Sequence, residues 1–275
     1  MRIAVATANT FFLPFEQTLE IIAAAGFCDV EVALYWRGGS WAMAQHLEGV
    51  SGRRAAEMIS QAGLRVATIH DGGGVLEAPG SPAGYVNPLL DEYLDDLGYA
   101  PEAIVCHTPH IAGEMPEGWW SPTAEAVVQA LEPYRSRCTT LTIENTPPFD
   151  GHTVPLLTPE ELGAFCAAHD LGVTLDTTHY AQMGLDPAVA AGVLREQVRT
   201  VHLSDYRNGR PHVYVGEGET DLPGVLAALD GAAVGVVTIE CAVSLPGEDV
   251  REMSTADMVE RLRTAGERVR GWLAA

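Results

Sequence analysis

Two hydrophobic patterns alternate along the whole chain. Short apolar, β-branched runs give way to longer stretches in which apolar and polar positions mix at helical spacing. The short runs predict strands at Ile3–Ala6, Val30–Ala33, Val66–Ile69, Ala103–Cys106, Thr140–Ile143, Val173–Leu175, Val201–Leu203 and Val236–Ile239. Several segments between them open with helix-start signals. Thr158-Pro159-Glu160-Glu161 offers an N-cap threonine, a proline at the first helical position and a capping-box glutamate. Ser121-Pro122 and Asp186-Pro187 repeat the cap-then-proline order, and Ser254 opens a final helical run to Trp272. Residues 71–100 are rich in glycine and proline, and only "NPLLDEYLDDLG" there predicts a helix.

Eight strands joined by crossovers long enough for helices imply parallel pairing, and eight parallel strands close well into a ring. The expected architecture is α/β, a (β/α)8 TIM barrel in a single domain over residues 1–275. The competing doubly wound sheet lacks support, since no GxGxxG follows an early strand. The 47% hydrophobic content suits one large core.

Charge narrows the chemistry. The net charge is −21 and all 16 basic residues are arginine. A chain without lysine cannot use a Schiff-base lysine, a lysine base or a P-loop lysine. The acidic balance also argues against nucleic acid, which needs a basic surface. Five cysteines without a CxxC pair fit free thiols in a reducing compartment, so a cytoplasmic location is expected. No run reaches the ~18 apolar residues of a membrane span, so no membrane partner is expected.

In such barrels the active site is built at the carboxyl ends of the strands. The third to eighth strands run there into His70, His107, Glu144, Asp176 with His179, His202 with Asp205, and Glu240. A single acid at a strand end is ordinarily a helix cap or ion-pair partner, but acids and imidazoles on six successive strands need another explanation. Buried charge costs several kcal/mol unless paired or metal-bound. Glu144, Asp176 and Glu240 have little cationic company in sequence, so a divalent metal is the natural counter-charge. Mixed oxygen and nitrogen ligands suit Mn2+, Zn2+, Co2+ or Mg2+, one or two per chain, with the histidines weighing against Mg2+.

With "TIENT" at Glu144, "LDTTH" at Asp176 to His179, "HLSD" at His202 and "TIEC" at Glu240, the sequence resembles the xylose isomerase-like TIM-barrel superfamily. That superfamily contains sugar isomerases and epimerases and the endonuclease IV group. The resemblance covers strands three to eight well and the first two poorly. It implies that Glu144, Asp176, His202 and Glu240 hold one metal, that Glu144 and Glu240 also move protons, and that His179 touches substrate. "IHD" at His70 and "PHVYVGEG" at His212 resemble endonuclease IV motifs. Its three-zinc site would fall on these residues together with His107, but Arg210 stands where its remaining aspartate ligand belongs. A guanidinium cannot ligate and repels a cation.

The expected function is therefore metal-dependent isomerisation or epimerisation of a small sugar, sugar derivative or hydroxy-ketone. His70 and His107 are candidates for a second metal or for contacts to substrate, and His179, Arg210 and His212 for binding substrate. The alternatives are a zinc phosphodiesterase acting on abasic DNA, an inosose-type polyol dehydratase, and a barrel that binds without catalysis. The sequence is compatible with a homo-oligomer but sets no oligomeric state. His110 and His152 are expected in loops near the mouth, and His46 and His169 on the surface. Trp36, Trp41, Trp119 and Trp120 are expected to border the mouth. "VGEGETDLPG" is not read as a phosphate loop, because its glutamates oppose an anion.

Overall fold

The computed structural model describes residues 1–34, 47–149 and 151–275. Eight parallel strands form a closed barrel: β1 (Arg2–Ala6), β2 (Asp29–Ala33), β3 (Arg65–His70), β4 (Ala103–His107), β5 (Thr140–Glu144), β6 (Gly172–Asp176), β7 (Val198–Leu203) and β8 (Val236–Ile239). β8 closes on β1 in a register running from Arg2 with Val236 to Val5 with Ile239. All eight strands stand where the apolar runs predict them, in a single TIM barrel. Their ends extend further than expected: His70, His107, Glu144 and Asp176 are the last residues of strands, not the first residues of loops.

That extension fixes where the side chains point. Successive strand residues face opposite sides, so residues two apart share a face. Five strands carry a buried threonine two residues before an acid or histidine: Thr68 and His70, Thr142 and Glu144, Thr174 and Asp176, Thr200 and His202, Thr238 and Glu240. The threonine layer is hydrogen-bonded across strands, with Thr174 Oγ1 2.7 Å from Thr142 Oγ1 and 2.6 Å from Thr200 Oγ1. The barrel interior is thus a hydroxyl layer topped by a layer of acids and imidazoles. Apolar packing lies outside it, between strands and helices, where Leu19, Val127, Leu162, Leu194 and Leu262 are fully buried.

The helices follow their start signals with one exception. Thr158 and Glu161 form the complete capping box of the helix Pro159–Ala168, Asp186 caps Pro187–Leu194 and Ser254 caps Thr255–Leu273. The helix at Ser121-Pro122 instead begins at Trp120 and runs to Leu131. Pro122 sits in its first turn, where the missing N–H needs no partner. The uncertain stretch holds a short strand, Val75–Leu76, paired with His110–Ala112, which in turn pairs with His152–Thr153. Its loop is pinned by the Asp71 carboxylate, which accepts the N–H groups of Gly73 and Asn87 at 3.2 and 3.0 Å. The expected helix follows at Leu90–Leu97 and ends on Gly98, whose φ of 75° suits a residue without a Cβ. Trp36, Trp41 and His46 lie outside the described residues. Among the described residues, no helix is long and apolar enough to cross a membrane.

Candidate metal centre

The turn after β6 shows how the chain builds the site. Asp176 ends the strand and caps the helix Thr177–Gln182, its Oδ1 accepting the His179 N–H at 2.9 Å. Asn145, directly after β5, clamps the same turn. Its side chain accepts the Asp176 N–H at 2.7 Å and donates to the Asp176 carbonyl at 3.0 Å. Its own carbonyl lies 2.8 Å from His179 Nδ1, which therefore donates and leaves Nε2 open. Asp176 Oδ2 remains buried and accepts no hydrogen bond from the described residues.

The expected metal ligands converge. Glu144, Asp176, His202 and Glu240 each offer a ligand atom, and these atoms lie within 4.8 Å of one another. His202 Nδ1 is 3.1 Å from Glu144 Oε1 and 2.7 Å from Glu240 Oε2. Glu144, Asp176 and His202 are fully buried, and Glu240 is 6% exposed. His70, His107 and Glu144 form a second such group, with the two Nε2 atoms 2.9 Å apart and Glu144 Oε2 3.2 Å from that of His70. His107 Nδ1 donates to the Gly73 carbonyl at 2.9 Å, which turns Nε2 toward this group. Asp176, His179 and His212 form a third. His212 holds a φ of 51°, rare for a residue with a Cβ, and Nδ1 lies 3.2 Å from the Glu240 carbonyl. That backbone strain sits at the proposed site, as strain often does.

Without a cation, histidine protons balance the acids. Burial by itself would lower His70, but Glu144 and Glu240 outweigh it and raise it to about 9. Burial likewise opposes the proton on His202, yet Glu240, Glu31 and Glu144 hold it well above the ordinary imidazole range. Burial works against ionised Glu240 too, but His202 and His70 hold it down at about 2. Asp176 is raised by burial, which the neighbouring histidines only partly offset. His107 is lowered to about 4 by burial and then by His70. A donor set of three carboxylates and an imidazole, in which Asp176 Oδ2 is buried without a hydrogen bond among the described residues, fits a divalent metal ion.

Other candidate residues lie apart from the cluster. Arg210 is exposed on the hairpin of Asp205–Arg207 with Arg210–Val213, beside a cleft of about 370 Å³ that it lines with Arg207, His212 and Ser244. A cleft of about 270 Å³ has Glu240, His212, Asn9 and Phe12 in its walls and opens on the cluster. A cleft of about 680 Å³ is lined by Trp119, Trp120, Phe165 and His169, with none of the cluster residues in its lining. The expectation that Trp119 and Trp120 border the mouth is corrected accordingly: Trp120 packs on Phe165, with ring centroids 5.5 Å apart, in the helical layer. His110 and His152 belong to the small sheet and pack against each other. His169, expected on the surface, stands at a helix C-cap and is half-buried. The glycine-rich "VGEGETDLPG" has its amides occupied, because the Asp205 carboxylate accepts N–H groups from Gly216, Gly218 and Thr220 at 2.9–3.1 Å. A Cβ at Gly218 would overlap that carboxylate.

Glu31 on β2 is absent from the sequence reading. It is fully buried beside His202. Its signal was a charge inside the apolar run "DVEVA", facing inward at the same period as the threonines.

A family model described as "Xylose isomerase-like TIM barrel" matches residues 19–265. Among curated protein sequences none matches the chain significantly. Similar solved structures include a D-tagatose 3-epimerase-like protein, 22% identical with a TM-score of 0.65, over 100% of this chain and 97% of that one. D-psicose 3-epimerase from Clostridium cellulolyticum H10, solved with D-tagatose, is 15% identical with a TM-score of 0.69, over 99% of each chain. IolI protein with a bound zinc atom is 16% identical with a TM-score of 0.72, over 98% of each chain. At these identities the structures share the fold, and the family match completes the assignment: the chain belongs to the xylose isomerase-like TIM barrel family.

Proposed function

We propose that the protein is a divalent-metal-dependent isomerase or epimerase of a small sugar, sugar derivative or hydroxy-ketone. The observation that supports this best is the pair Glu144 and Glu240, brought from the ends of β5 and β8 to within 3.1 and 2.7 Å of one imidazole nitrogen among four potential ligands. Glu144, Asp176, His202 and Glu240 would hold the ion. A divalent cation there supplies polarisation of a substrate carbonyl and its neighbouring hydroxyl, which acidifies the intervening C–H. Glu144 and Glu240 take the carbon-bound proton and return it, as a positioned acid–base pair. Asp176 and His202 serve mainly to hold the charge. His179, with Nδ1 committed to Asn145, presents Nε2 to a substrate hydroxyl. His70 and His107 contact substrate or a second ion, and Arg210 and His212 line the approach. The names of similar structures support the substrate class: a D-tagatose 3-epimerase-like protein and D-psicose 3-epimerase.

A zinc phosphodiesterase is the second reading, favoured by His70–His107–Glu144 and Asp176–His179–His212, two of the three further groups of potential ligands among the described residues. The net charge of −21 weighs against a DNA substrate. A polyol dehydratase would use the same residues. The test is hydrogen exchange from D2O into a panel of ketoses, hydroxypyruvate and inososes, read by NMR, with an abasic-site duplex in parallel. Deuterium wash-in supports the isomerase reading. Loss of water from an inosose supports the dehydratase, and strand cleavage without exchange replaces the proposal with the phosphodiesterase.

A further inference from the structure

The role of Glu31 follows from its place in the barrel. β2 and β7 are not neighbours, yet the Glu31 side chain crosses the interior to reach His202, 171 residues away, with Oε2 3.1 Å from Nε2. The same oxygen is fixed from both sides, accepting from Thr68 Oγ1 at 2.7 Å and lying 3.4 Å from Thr238 Oγ1. The opposite ring nitrogen, Nδ1, faces Glu144 and Glu240. His202 therefore lies between a carboxylate anchored by hydroxyls and the side where a cation would sit.

We infer that Glu31 is a positioning residue for His202: it accepts the Nε2–H, fixes the ring in one orientation and presents Nδ1 to the metal. The inference rests on the metal site of the proposed function. A carboxylate behind a ligating imidazole fixes its tautomer and raises its basicity, and removing such a partner typically costs ~10–100-fold in metal affinity. Simple space-filling does not account for Glu31. A buried carboxylate is costlier than an apolar side chain of similar volume unless its charge is used. Its cationic neighbours are His202 and, at 4.0 Å, His70, and with these two and Glu240 it forms a group whose potential ligand atoms lie within 4.8 Å of one another, so the test must separate a positioning carboxylate from a ligand.

The test uses the 15N-labelled full chain loaded with Zn2+, which is diamagnetic, together with calorimetric titration of Zn2+ into the wild type and Glu31→Gln. The expected wild-type signature is a slowly exchanging proton on His202 Nε2 and a zinc-shifted Nδ1. Glu31→Gln is expected to bind Zn2+ ~10–100-fold more weakly and to move that proton upfield. If wild-type His202 ligates through Nε2, with Glu31 beside it as a ligand, the positioning role is overturned. Equal zinc affinity in wild type and Glu31→Gln overturns it as well, while leaving the metal site standing. A wild type that binds no zinc removes the metal reading and this role together. Should Glu31→Gln not fold, the wild-type spectrum alone decides between the two nitrogens.

Discussion

Glu144 Oε1 lies 3.1 Å from His202 Nδ1 across 58 residues of sequence. The two stand on β5 and β7 with β6 between them, so the contact exists only because the barrel turns alternate residues of both strands inward. Glu240 approaches the same nitrogen at 2.7 Å from β8. On the proposed reading, two carboxylates aimed at one nitrogen bring the cation and the proton-handling pair to a single point.

The chain is expected to bind at least one Mn2+ or Zn2+ through Glu144, Asp176, His202 and Glu240, at the usual distances of about 2.0–2.4 Å. Asp176→Asn should weaken binding by more than the ~10–100-fold typical of outer partners. Anomalous density in a crystal soaked with Mn2+ checks the position. Side chains that diverge around an ion bound elsewhere would remove the assignment.

Metal binding should strengthen as pH rises. His70 is raised from 6.5 to about 9 in the metal-free chain, and His202 is raised too. A group raised in the folded state contributes stability that is complete below pH 6.5 and is lost as pH climbs through about 9. An ion replaces the imidazole protons, so uptake releases protons and its benefit grows across that window. The gain in melting temperature on adding Mn2+ should therefore be larger at pH 9 than at pH 6.5. A gain that shrinks with rising pH contradicts the exchange of protons for metal.

Arg210 tests the count of ions. It precedes by two residues His212, one of the three-residue group with Asp176 and His179. An exposed guanidinium there opposes a cation. The wild type should hold no ion between His179 and His212, and Arg210→Asp should raise zinc stoichiometry by about one per chain in elemental analysis. A wild type that already carries three zincs would revive the phosphodiesterase.

The threonine layer should contribute to stability rather than chemistry. Thr174 Oγ1 bridges Thr142 and Thr200 at 2.7 and 2.6 Å, fully buried. Thr174→Val keeps the shape but removes a hydroxyl partner from each neighbour, Thr142 keeping its bond to the Ile104 carbonyl at 3.2 Å. The expected loss is ~1–3 kcal/mol in urea unfolding, with unchanged metal stoichiometry. Unchanged stability would mean that the three hydroxyls have other partners.

Much of this arrangement was legible in the sequence, for physical reasons. Buried parallel strands must be apolar, so all eight announced themselves, and the site had to lie at their carboxyl ends. His70, Glu144, Asp176, His202 and Glu240 were found because charge after an apolar run is conspicuous. Glu31 escaped because it sits inside a strand, where only the barrel's inward period gives it meaning. The clamping roles of Asn145 and Asp71 escaped, though both stand in the quoted motifs, because their hydrogen bonds to distant backbone follow no periodic rule. The packing of Trp120 depends on Phe165 of a later helix, which local sequence does not reveal.

The most direct measurement is C–H exchange in D2O by Glu144→Gln and Glu240→Gln, on whichever panel substrate the wild type labels, at saturating Mn2+. A glutamine keeps the shape and one ligand oxygen but cannot accept a proton at neutral pH. Each variant should exchange ~10²–10⁴-fold more slowly than wild type with its metal occupancy restored, the range expected for loss of an acid–base group. Exchange that returns to the wild-type rate in either variant once the metal is restored would show that glutamate to be a ligand only, and would contradict the two-glutamate proton transfer proposed here.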